Sequence, residues 1–144
     1  MSSNSFLYIM MTDVDYMRRT LELAARGRGR VHPNPMVGAV AVRDGRVVGE
    51  GFHPGPGQPH AEVFALREVA AGTPGVTVYV NLEPCAFVGR TPPCADLLVE
   101  KGVTRVVCAM ADPDDRVSEK GFDRLKGAGI DVTVGVLEAE ARAL

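Results

Sequence analysis

Apolar positions along this chain change period several times, and each change marks an element. From Thr12 to Ala25 they fall at helical spacing, with Tyr16, Leu21, Leu23 and Ala24 on one face. Thr12 or Asp13 stands where an N-cap belongs, and Gly27 and Gly29 end the helix. Residues 37–43 and 46–52 read as two strands joined by Asp44-Gly45, a dipeptide suited to a two-residue hairpin turn. The first is apolar almost throughout, which predicts a strand covered on both faces. Further on, the pattern predicts a helix over 61–71, a strand over 76–81 and a helix over 95–101 stopped by Gly102. A buried strand over 105–110, a helix around 122–126, a strand over 130–134 and a short helix within 137–144 complete the chain. Strand–helix alternation after the opening hairpin predicts an α/β fold: a mixed five-stranded sheet, mostly parallel in its second half, with helices on both faces.

Composition narrows the class of protein. A chain of 144 residues, 46% hydrophobic and 24% charged, has room for one domain with a proper core. The formal net charge of −2 argues against a nucleic-acid binder, despite the local cluster Arg18, Arg19, Arg26, Arg28 and Arg30. Three cysteines, an odd count, fit a reducing cytoplasm rather than a disulfide framework. The apolar run at 6–11 is too short for a membrane span or a signal segment. Residues 1–11 are therefore read as a loosely ordered extension, and 12–144 as the functional domain.

Chemistry concentrates in two short segments, HAEVFAL at 60–66 and LEPCAFVGRTPPC at 82–94. One imidazole (His60) and two thiolates (Cys85, Cys94) make a three-ligand zinc set, and three protein ligands leave the fourth position open for water. Glu62, two residues after the histidine, stands where a proton carrier is needed. Zinc deaminases combine His-x-Glu with Pro-Cys-x-x-Cys, whereas eight residues here separate Cys85 from Cys94. His53, in the loop HPGPGQP, is the nearby alternative fourth ligand if the site were closed and structural. Cys108, inside RVVCAM, reads as a core residue. Pro33 and Pro35 stiffen the loop around Asn34. Arg90 offers a guanidinium fork suited to a phosphate, while Asp112 and Asp114 sit in an acidic turn. Both Cys85 and Asp112 follow strand ends, where ligands of such sheets collect.

Four segments in order, HPNPMVGAVAV at 32–42, HAEVFAL, LEPCAFVGRTPPC and DPDDRVSEKG at 112–121, resemble the deaminase domain of the bifunctional riboflavin-biosynthesis deaminase/reductase. The resemblance spans roughly residues 14–140. It implies a three-layer α/β/α cytidine-deaminase-like fold with one Zn2+ per chain on His60, Cys85 and Cys94, and Glu62 shuttling protons. It implies as substrate 2,5-diamino-6-(5-phosphoribosylamino)pyrimidin-4-one, which loses its 2-amino group as ammonia. Asn34 would contact the pyrimidine, His53 joins the substrate contacts, and Arg90, Thr91, Asp112 and Asp114 would line the ribose-phosphate end. The same resemblance implies a homo-oligomer working with a separate or detached reductase, while the charge balance and the short apolar run argue against nucleic-acid and membrane partners. Two positions depart from the family's pattern: Phe87 stands where histidine is usual, and Asp115 where proline is common. The rival readings are a free-standing deaminase of another pyrimidine or purine, and a non-catalytic zinc-stabilised module.

Overall fold

The computed structural model describes residues 11–87 and 93–144. Helix α1 (Asp13–Ala25) opens on a reciprocal cap: the Asp15 amide donates to the Thr12 hydroxyl at 3.3 Å, and the Thr12 amide donates to the Asp15 carboxylate at 2.9 Å. Strands β1 (Gly38–Arg43) and β2 (Arg46–Phe52) form the antiparallel hairpin. Asp44 (φ 53°) and Gly45 (φ 72°) both adopt the left-handed backbone that a tight turn between right-twisted strands demands.

Helix α2 (Ala61–Ala65), strand β3 (Val76–Val80) and helix α3 (Cys94–Lys101) follow, and Gly102 terminates α3 in the left-handed region. Strand β4 (Arg105–Cys108), helix α4 (Lys120–Gly127), strand β5 (Asp131–Val134) and helix α5 (Glu138–Arg142) complete the fold. The five strands form one sheet in the order β2-β1-β3-β4-β5. Pairing is antiparallel from β2 to β3 and parallel from β3 to β5, as the alternation predicts.

Strand pleating divides the core into two layers. Val78, Val80, Val106 and Cys108 meet Leu66, Val69, Leu98, Phe122 and Leu125 on one face. Val40, Tyr79 and Val107 meet Tyr16, Met17 and Leu23 of α1, with Ala141 of α5, on the other. This is the three-layer α/β/α arrangement.

One element is shorter than its pattern. The helix predicted over 61–71 stops at Ala65, because Leu66 leaves helical geometry (φ −98°, ψ 2°). The Arg67 and Val69 amides then bond carbonyls three residues back, and Leu66 and Val69 turn into the core. Two glycines of β2 let α2 lie directly on the sheet. A Cβ on Gly49 would overlap the Ala65 carbonyl, and one on Gly51 would lie 2.7 Å from the Ala61 carbonyl oxygen. Backbone contact, not side-chain packing, thus sets the height of α2 and of the residues at its start.

Candidate metal centre and its cavity

His60 is the N-cap of α2, with extended backbone (φ −74°, ψ 165°) and no capping bond from its side chain, so its imidazole is free for other use. Cys94 opens α3, and Cys85 lies in the loop beyond β3. His60 Nδ1 is 3.3 Å from Cys94 Sγ and 3.9 Å from Cys85 Sγ, and the three donor atoms all lie within 4.8 Å of one another. A tetrahedral zinc with bonds of roughly 2.0–2.3 Å spaces its donors roughly 3.5–3.8 Å apart, so these distances lie close to what that ion needs.

Proton sharing within the trio reflects the same closeness. The Cys94 thiol, donating to Cys85, is the first reason the Cys85 thiol is held below its usual range, and the Cys94 amide donates to that sulfur at 3.2 Å. Cys94 is pushed up in turn, first by its bond to Cys85 and then by burial. The bond to Cys85 raises His60 above the ordinary histidine value, against the opposing effect of burial. A zinc ion held by these residues would act the other way on Cys94, since a coordinated thiol is deprotonated.

Glu62 lies beside this cluster, 3% exposed, and burial pushes its carboxyl up to about 7. Its Oε1 has no hydrogen-bond partner among the described residues. A buried carboxylate oxygen without a partner is costly, and such an atom marks a place where a ligand or water supplies the missing bond.

His60, Glu62 and Cys85 open onto a cavity of about 570 Å³, whose wall also includes Asn34, His53, Glu83, Phe87 and Asp112. His53 is not a fourth metal ligand, contrary to the alternative considered from sequence. Its Nδ1 is 3.0 Å from the Pro59 carbonyl, and its Nε2 is 3.0 Å from Asn34 Nδ2. A carbonyl only accepts, so Nδ1 donates to Pro59 and Nε2 is the nitrogen that meets the Asn34 amide. Asn34 itself lines the cavity.

Asp112 lines the cavity, whereas Asp114 is not among the lining residues and its carboxylate is engaged by Arg116 at 2.8 Å. Arg90 and Thr91 lie outside the described residues. Two buried residues that spacing did not single out organise the walls. Asn81 accepts from the Gly38 amide at 2.8 Å and donates to the Met36 carbonyl at 3.0 Å, tying the Asn34 loop to β3. Glu83 binds the segment after β4. A polar residue at a strand end has many uses, so sequence carries no signal that separates these two from ordinary turn residues.

Residues 10–110 match the family model for the cytidine and deoxycytidylate deaminase zinc-binding region. The chain belongs to that family. The family's zinc and the His60, Cys85 and Cys94 donor set agree on the metal. Across 134 residues the chain is 57% identical to the riboflavin biosynthesis protein PYRD, chloroplastic, of Zea mays, covering 93% of this chain and 34% of that protein. Acinetobacter baumannii RibD superposes with a TM-score of 0.89 at 52% identity, over 92% of this chain and 37% of that one. A Thermotoga maritima diaminohydroxyphosphoribosylaminopyrimidine deaminase/5-amino-6-(5-phosphoribosylamino)uracil reductase superposes with a TM-score of 0.83 at 46% identity, over 91% and 38% of the two chains. The deaminase family, the cytidine-deaminase-like fold and the resemblance to riboflavin-biosynthesis deaminases therefore stand. The chain spans about a third of the length of the relatives it matches.

Proposed function

We propose that this chain catalyses hydrolytic deamination of 2,5-diamino-6-(5-phosphoribosylamino)pyrimidin-4-one, releasing ammonia and the corresponding uracil. The observation that carries the reading is the unpartnered, buried Oε1 of Glu62 beside three zinc-type donors at the wall of a substrate-sized cavity. The names of the similar proteins supply the substrate class.

Zinc held by His60, Cys85 and Cys94 supplies the Lewis acidity that makes water nucleophilic near neutral pH. Glu62 accepts the proton that water loses as it attacks the carbon bearing the 2-amino group, and delivers it to the adjacent ring nitrogen. The same carboxylate then moves the proton of the adduct's hydroxyl to the amino group, the C–N bond breaks, and ammonia leaves as the carbonyl forms. Burial pushes this carboxyl up, which favours its taking the proton and holding it between the two transfers. Asn34 Oδ1, fixed by the His53 bond, accepts from an N–H of the ring. Asp112 faces the ribosyl end, and Arg90 and Thr91 are assigned to the phosphate on sequence grounds.

No helix among the described residues is long and apolar enough to cross a membrane. A cytoplasmic homo-oligomer whose product passes to a reductase on another segment or chain completes the proposal.

The test is ammonia release from the phosphoribosylaminopyrimidine by the zinc-loaded protein and by Glu62→Gln. The variant is expected to keep its zinc and lose at least ~10²-fold in turnover. Near-normal turnover of the variant would remove Glu62 from the mechanism. A second reading keeps the chemistry and changes the base, and Phe87 favours it: this ring, 54% exposed at the cavity rim, offers no hydrogen bond. Faster ammonia release from an unphosphorylated base or nucleoside would select that reading.

A further inference from the structure

Glu83 is 6% exposed, yet it is part of the wall of the cavity. Both of its oxygens are fully engaged by backbone from one distant segment. Oε1 accepts from the amides of Asp112 and Glu119, each at 2.9 Å. Oε2 accepts from Gly121 at 2.9 Å and from Phe122 at 3.2 Å. Helix α4 begins at Lys120 behind Glu119, which is left-handed (φ 66°) and makes no side-chain cap. Glu83 thus does from the segment after β3 what an N-cap residue does locally: it satisfies the free amides of the first turn. Gly121 makes the contact possible, since a Cβ there would overlap the Pro84 carbonyl. At the other end of the segment Asp112 is fixed at the cavity, with one carboxylate oxygen taken by the Asp114 amide at 2.9 Å.

We propose that Glu83 is a positioning residue: its bond to the Asp112 amide, braced by three more to Glu119, Gly121 and Phe122, holds Asp112 at the cavity wall, where the second Asp112 oxygen accepts from hydroxyls of the ligand's sugar, so Glu83 governs binding of that sugar. This rests on the deaminase reading above for its substrate, but not for its geometry. A carboxylate is needed because all four partners are donors. In Glu83→Gln, the amide NH2 would face two N–H groups, and half of the clamp would become repulsive.

The experiment compares zinc-loaded wild type with Glu83→Gln, Gly121→Ala, Asp112→Asn and the double variant Glu83→Gln/Asp112→Asn. Each single change is expected to raise KM by ~10-fold or more with kcat altered less than ~3-fold, the mark of lost ground-state binding. The double variant is expected to be no worse than the poorer single, because the two residues act through one contact. Elemental analysis is expected to show one zinc per chain throughout. Unchanged KM in a zinc-loaded Glu83→Gln overturns the proposal, as do fully additive effects in the double variant. Partial zinc occupancy at unchanged KM also overturns it, showing that Glu83 supports Cys85 instead. Amide exchange of the wild-type protein needs no substrate and no variant: Asp112, Glu119, Gly121 and Phe122 are expected to be protected, and rapid exchange at these four defeats the clamp. If wild type releases no ammonia from this substrate, the deaminase reading fails, and exchange still decides whether the clamp exists.

Discussion

The three thiols occupy different electrostatic settings, and a single experiment separates them. Cys85 and Cys94 face one another and His60 across a space that fits a divalent ion. Cys108 is buried in β4 with its thiol pushed up by burial, and it donates to the Met110 carbonyl at 3.2 Å. Cys85→Ala and Cys94→Ala are each expected to lose zinc after dialysis against a chelator, while Cys108→Ala keeps one zinc per chain and loses about 1 kcal/mol of stability. Zinc per chain by elemental analysis, with denaturant midpoints, reads both effects. These assignments were legible in the sequence, because Cys85 and Cys94 flank a proline-rich loop whereas Cys108 sits among valines. The partners of the two His53 ring nitrogens were not legible. Which ring nitrogen has a partner depends on Pro59 and Asn34 converging in space, and chain spacing carries no record of that.

At the scale of elements, the same substitution has opposite expected signs at two glycines. Gly51 in β2 lies under α2, so a methyl group there would press on the Ala61 carbonyl and on Phe64. Gly51→Ala is expected to cost ~2 kcal/mol or more by overpacking, and to weaken zinc retention because α2 begins one residue after His60. Gly127, at the end of α4, has open space around its Cβ position, and Gly127→Ala is expected to add about 0.5–1 kcal/mol by restricting the unfolded chain. Urea midpoints of both variants, alongside zinc content for Gly51→Ala, check the pair. The five strands and the helix order were readable because apolar period tracks element type. The early end of α2 was not, since residues 61–71 keep a helical pattern while Leu66 and Val69 follow the core out of the helix.

Across the whole molecule, one link joins parts of the chain that are 92 residues apart. Arg105 of β4 grips Asp13, the first residue of α1, with two bonds of 2.7 and 3.0 Å, while Tyr79 of β3 donates its hydroxyl to the same carboxylate at 2.7 Å. The strand order and this cross-link are tertiary facts that no local pattern announces. The bond from Arg105 is the largest reason the Asp13 carboxyl is held below the usual carboxylate range. Folding therefore releases a proton from Asp13 in the window between its folded value and its ordinary one near 3.8. The unfolded chain binds more protons there, so this contribution is fully present above that ordinary value and disappears as pH falls through the folded one. Both side chains are about a third exposed (30% and 35%), so solvent screening limits the pair to about 1 kcal/mol. Asp13→Asn is accordingly expected to be less stable than wild type by about that amount at pH 7, with the gap closing as pH drops below about 3.8. Denaturant midpoints of the two proteins at a series of pH values measure it. A gap that stays constant into acid would mean that packing of α1 against the sheet, rather than the Arg105 charge, supports this end of the fold.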